Sequence, residues 1–106
     1  MVKKIANYSA NRYPCQVIVN DRWFTEIEIS QYYRTKPGRS TVSDEKIREL
    51  VSQLKGKFTR DNEYFSSQPL YIGYRAYNLV WDYDDDEFTG TLLIIDCYRE
   101  RTLDKK

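Results

Sequence analysis

The chain has 106 residues, of which 41% are hydrophobic and 31% charged. This is the make-up of one folded domain with one core rather than of a disordered segment. It carries 17 basic and 16 acidic residues, two cysteines and no histidine. A disulfide framework, the usual general base and the commonest transition-metal ligand are therefore excluded. No apolar run approaches the roughly 20 residues of a membrane helix, and Met1-Val2-Lys3-Lys4-Ile5 lacks the apolar stretch of a signal peptide. The expectation is a cytoplasmic protein with no membrane partner, in which Cys15 and Cys97 are small buried thiols kept reduced.

In chain order, Cys15–Val19 reads as a first strand, with Pro14 bounding its start. Asn20-Asp21 is a two-residue turn signal, because both residue types tolerate positive φ. Trp23–Ile29 then alternates, which predicts Trp23, Thr25, Ile27 and Ile29 on one face and Glu26 and Glu28 on the other. Ser30 caps a short helical turn that Pro37-Gly38 stops. The main helix is expected over about 43–55. Thr41 and Asp44 stand at capping-box spacing, and Ile47, Leu50, Val51 and Leu54 form one apolar stripe. Lys55 and Gly56 suit the helix end.

Thr59–Gln68 reads as a polar connection and Pro69 as the opening of the final sheet region. Over Tyr74–Tyr83 a strand is predicted, with Tyr77, Leu79, Trp81 and Tyr83 on one face and Tyr74, Ala76 and Val80 on the other. Leu92-Leu93-Ile94-Ile95 is apolar on both faces, so it belongs in the centre of a sheet. The predicted fold is α+β, a single domain over residues 1–106. Its sheet is mostly antiparallel, built of two hairpins, with the one main helix packed on one face.

Charge is segregated. Asp82, Asp84, Asp85, Asp86 and Glu87 gather five acids at the second hairpin's tip. Asp82, Asp84 and Asp86 have calcium-loop spacing, but the sixth position is Glu87 rather than Gly and the twelfth is Leu93 rather than Glu. The loop pattern fails, and the tip reads as a solvated turn that opposes edge aggregation. Between Tyr32 and Arg60 cations prevail, and an uneven field of this kind steers anionic partners. Ten tyrosines outnumber four phenylalanines and two tryptophans; such rings finish a small core or line a contact surface.

Gly-rich phosphate loops, GxSxG and CxxC motifs are all missing. What remains is cationic and phenolic. Arg34, Lys36 and Arg39 cluster around Pro37-Gly38, Arg75 sits among Tyr71, Tyr74 and Tyr77, and Tyr98, Arg99 and Arg101 close the last strand. Arginine binds phosphate through two N–H groups and tyrosine offers a stacking face, so these residues point to RNA, with Arg34, Arg75 and Arg101 as binding groups. An RNA strand can be cut by its own 2′-hydroxyl, which needs in-line positioning, charge stabilisation and proton transfer but no cofactor. Ordinary tyrosine, with a pKa of about 10, and lysine, about 10.4, are poor bases at neutral pH. Catalysis would need strong lowering by neighbouring cations. The open alternative is that these are surface charges with no joint role.

Ile27-Glu28-Ile29-Ser30-Gln31-Tyr32 through Arg39, followed by Val42-Ser43-Asp44-Glu45-Lys46-Ile47, resembles the helix entrance of the RelE/ParE-like and colicin-like bacterial ribonuclease toxin superfamily. Tyr77-Asn78-Leu79-Val80-Trp81 with Ile94-Ile95-Asp96-Cys97-Tyr98-Arg99 resembles its sheet. The resemblance lies in the order of elements. It implies a toxin-like, metal-independent endoribonuclease of a toxin–antitoxin system, with RNA and a cognate antitoxin as partners and Lys36, Arg39, Tyr98 and Arg99 as catalytic residues. Many members place a histidine near the helix entrance, where Tyr32 or Lys36 stands here. The alternative from a different class is a non-catalytic protein-binding module, such as an antitoxin, immunity or inhibitor protein. Near-neutral net charge and the lack of histidine favour that alternative, whereas segregated charge and the order of elements favour the ribonuclease reading.

Overall fold

A computed structural model describes residues 8–54, 60–61, 64–66, 69–83 and 90–105. The acidic tip at Asp84–Glu87 and the helix-end residues Lys55 and Gly56 lie outside these residues. The first hairpin joins β1 (Ala10–Val19) to β2 (Arg22–Ser30). Asn20 and Asp21 both adopt positive φ, 53° and 66°, as the tight turn requires. After a 3-10 turn over Gln31–Thr35 comes α1 (Asp44–Val51). Then follow β3 (Arg60–Asp61), β4 (Tyr64–Ser66), β5 (Leu70–Ile72), β6 (Arg75–Tyr83) and β7 (Thr91–Arg99).

The sheet runs β1-β2-β7-β6-β4-β3, with β5 also paired to β6. It is mixed, which corrects the mostly antiparallel expectation: β2 and β7 pair in parallel, Ile27 beside Leu92 and Ile29 beside Ile94. The chain between them includes α1 and supplies the long crossover that a parallel pair needs. β7 is central, between β2 and β6, as its two apolar faces require. Inside the expected polar connection, β3 and β4 extend the sheet beyond β6.

Three local expectations are corrected. Strand β1 begins at Ala10, so Pro14 lies within it; an edge strand tolerates proline because half its amides face no neighbour. The core face of β2 shifts phase, with Phe24 fully buried while Trp23 stays 62% exposed. Pairing with β1 slips by one residue between Pro14 and Val17, and the amides of Thr25 and Glu26 both donate to the Gly90 carbonyl. Such a bulge resets the alternation, so Phe24 and Ile27 share the core face. Gly90 (φ 77°) makes this approach possible: a Cβ there would sit 3.2 Å from Thr25 Oγ1. Finally, the helix cap is Ser43, whose Oγ accepts from the Lys46 amide at 3.2 Å. Asp44, the first helical residue, faces the sheet edge instead.

Helix α1 contributes Ile47, Leu50 and Val51, continued by Leu54, to one buried cluster that also holds Tyr77, Leu79, Trp81, Leu92, Ile94 and Cys97. The faces expected for β6 hold, with Tyr77, Leu79 and Trp81 all in the core. Asp82 is not at an exposed tip: it is buried within β6 and accepts from the Tyr83 amide.

Both cysteines are free. Cys97 is fully buried, and burial, reinforced by Asp96, pushes its thiol up to about 12. Cys15 is half-buried, with its thiol raised by burial and by Glu26. A thiolate-directed reagent is expected to label native Cys15 slowly and Cys97 only after unfolding. Mass spectrometry of the native protein checks this, and rapid modification of Cys97 would contradict it.

Candidate functional site

Beyond Ile29 and Ile94 the β2–β7 pairing ends, and the segment from the 3-10 turn to Arg39 lies alongside the C-terminal half of β7. Arg39 anchors this segment. Its Nε donates to Asp96 Oδ1 at 3.0 Å, its Nη2 to Oδ2 at 2.7 Å, and its Nη1 to the Pro37 carbonyl at 3.1 Å. Asp96 Oδ1 also accepts the Cys97 amide. Fixed in this way, the guanidinium stands 5.3 Å from the centre of the Tyr98 ring. The hydrogen bond to Asp96 raises the Arg39 pKa further and keeps it charged. Each of its three nitrogens gives up one N–H, leaving one on each terminal nitrogen for a ligand.

Lys36 lies three residues earlier, so its Cα is within about 11 Å of that of Arg39. Its ammonium sits 5.0 Å from the Tyr32 ring centre, and Tyr8 meets the same ring edge-on at 5.0 Å. Tyr32, Lys36, Arg39 and Tyr98 are all half-buried, the Arg39 side chain 17% exposed. Two cation–tyrosine pairs thus border one short segment, and chemically a cation beside an aromatic face can meet a phosphate next to a stacked base.

Arg99 is not part of that arrangement. Successive strand residues point to opposite faces. Arg99 stands opposite Tyr77, with the Tyr77 ring centre 5.4 Å from its guanidinium, whereas Tyr98 stands opposite Asn78. Asp104 holds Arg99 through two bonds, of 2.7 and 2.9 Å. Arg75 (5.6 Å from the Tyr74 ring) and Lys105 (4.4 Å from the Tyr71 ring) gather at this end of β6 and β7. Arg101 is exposed in the adjoining turn. Six of the seven predicted residues therefore fall into two groups, Lys36, Arg39 and Tyr98 in one and Arg75, Arg99 and Arg101 in the other.

Arg34 belongs to a structural hub. Asp44 accepts from Asn11 at 2.8 Å, Tyr13 at 2.8 Å, Tyr33 at 2.7 Å and Gln31 at 3.2 Å. Arg34 donates to Gln31 and lies 3.6 Å from Asp44. Burial and Asp44 together raise the Tyr33 hydroxyl's pKa strongly, so it is a fixed donor and not a proton carrier.

The partners Asp96, Asp104 and Asp44 escape a reading of motifs. An available signal is Asp96 itself, an acid inside an apolar strand, since a buried carboxylate needs a cation or donors. Among the described residues no group of three or more His, Cys, Asp or Glu side chains is placed to hold a metal ion. No described helix is long and apolar enough to cross a membrane. No family model matches the chain, and no curated protein or solved structure does either.

Proposed function

We propose that the protein binds single-stranded RNA along the segment that carries Tyr32, Lys36 and Arg39 and beside Tyr98 of β7. The observation that supports this reading is the pair of cation–tyrosine contacts, Lys36 with Tyr32 and Arg39 with Tyr98. Lys36 and the free N–H groups of Arg39 meet phosphate, and the two rings stack on bases. The proposed path leaves aside Arg75 and Arg101, which lie with Arg99 in the second group, and Arg34, which Asp44 and Gln31 engage. Cleavage is the finer proposal. The strand's 2′-hydroxyl attacks the adjacent phosphorus, the bond to the 5′ oxygen breaks, and a proton passes from the attacking to the leaving oxygen. Arg39 and Lys36 meet the developing charge, and the Tyr98 hydroxyl carries the proton.

Tyr98→Phe separates the two proposals. It removes only a hydroxyl, so it is expected to leave RNA affinity within about twofold and to lower any cleavage by about a hundredfold. Gel analysis of a labelled RNA measures cleavage and anisotropy measures affinity. Unchanged cleavage would remove Tyr98 from the chemistry.

A second reading, a protein-binding module, is favoured by a different observation. Ile18 and Trp23 face each other across the first hairpin and are 56% and 62% exposed. An uncovered Trp beside an aliphatic side chain suits the anchor of a protein interface.

A further inference from the structure

Strand β1 ends the sheet, and among the described residues it pairs only with β2. Its outer edge therefore carries backbone N–H and C=O groups available for another strand. Helix α1 runs beside it, and two adjoining cavities, of about 350 and 400 Å³, open between them. They share Gln16, Val17 and Ser52 and so form one groove. The floor is apolar, made by Val17, Ile27, Val51 and Leu54, and Ile18 and Trp23 close one end. The helix rim carries the exposed carboxylates Glu45 and Glu49. Among the described lining residues the one cation is Arg48, whose guanidinium lies over the Tyr13 ring at 4.5 Å.

We infer that this groove takes an extended segment of another protein, which adds to β1 as a further strand. The segment carries apolar side chains at alternate positions and Lys or Arg toward Glu45 and Glu49. An open strand edge beside a helix recognises backbone through the ladder and side chains through the groove. The apolar floor selects every second side chain, and the paired acids at i, i+4 select positive charge. Pro14 has no N–H to give, so the new ladder runs beside Gln16–Val19, and the segment beyond is held by its side chains. This inference rests on the protein-binding reading and supplies the chemistry of the partner.

The test uses the whole chain and three labelled peptides. One is Lys-Lys-Val-Thr-Val-Thr-Val, the second has Glu-Glu for Lys-Lys, and the third has N-methylated backbone at both Thr positions. The first is expected to bind, with amide NMR shifts over Gln16–Val19. The second and third are expected to bind about tenfold more weakly or worse. Combined Glu45→Gln and Glu49→Gln should abolish the preference for Lys-Lys while leaving thermal unfolding unchanged. Binding that is lost with Trp23→Ser yet indifferent to N-methylation would overturn the strand inference and leave the protein-binding reading intact. Absence of binding by every peptide up to about 1 mM, weaker than even a minimal specific contact, would overturn both. A concentration-dependent dimer lost with Trp23→Ser would also overturn the inference, since the groove would then serve a second copy.

Discussion

Asp44→Ala is expected to lower the free energy of unfolding by about 3–5 kcal/mol, the cost of breaking a buried charged network. Asp44 is 7% exposed and joins the start of α1 to β1 and to the 3-10 turn. Each hydrogen bond to a charged group is worth about 1.5–3 kcal/mol, but partners that share one acceptor do not add. Truncation also leaves the buried Tyr33 hydroxyl without its acceptor. The sign of the pH effect follows from the same geometry. Burial works against the ionised form, but hydrogen bonds from Asn11, Tyr33, Tyr13 and Gln31 outweigh it and hold the carboxyl below its ordinary value. Its contribution is complete above the unfolded value near about 3.9 and is lost as pH falls through the lower folded value. The stability gap between the native protein and Asp44→Asn should therefore be widest near neutrality and narrow in acid. Urea denaturation at pH 7 and pH 3 measures it. A gap that grows in acid would contradict the assignment.

Leu50→Ala is expected to cost about 2–5 kcal/mol, the range for truncating a fully buried leucine. Leu50 is 0% exposed and packs with Ile47 and Val51 on the β6–β7 core. The same denaturation measures the loss. A value under about half a kcal/mol, ordinary for a surface change, would mean that the helix does not pack as described.

The features legible in the sequence are those set by local chemistry. Asn20-Asp21 marks its turn because few other residues accept positive φ, and Leu92–Ile95 marks the central strand because both its faces are apolar. The stripe Ile47, Leu50, Val51 and Leu54 finds the core for the same kind of reason. Strand neighbours are another matter. Nothing in Ile27–Ile29 or Leu92–Ile94 says that the two run parallel, because that choice is made by the packing of everything between them. The bulge that turns Phe24 inward and leaves Trp23 outside depends on the Gly90 carbonyl, which lies far along the chain. The candidate site was legible as residue types and not as pairings. Lys36 and Arg39 share one segment that Arg39 brings against Tyr98 of β7, whereas Arg99 is carried to the opposite face by strand alternation and held there by Asp104. Arg39 and Asp96 meet across 57 positions of sequence, a distance no local pattern spans.

The central claim, RNA binding, is tested most directly by an anisotropy titration of the native protein with a labelled single-stranded RNA, at low salt and then at rising salt. The expected result is saturable binding that weakens as salt rises, because phosphates neutralised by Lys36 and its neighbours release counterions. Lys36→Ala should lower the affinity and flatten the salt dependence by about one ion. No binding at tens of micromolar in low salt, weaker than ordinary non-specific association, would contradict the claim.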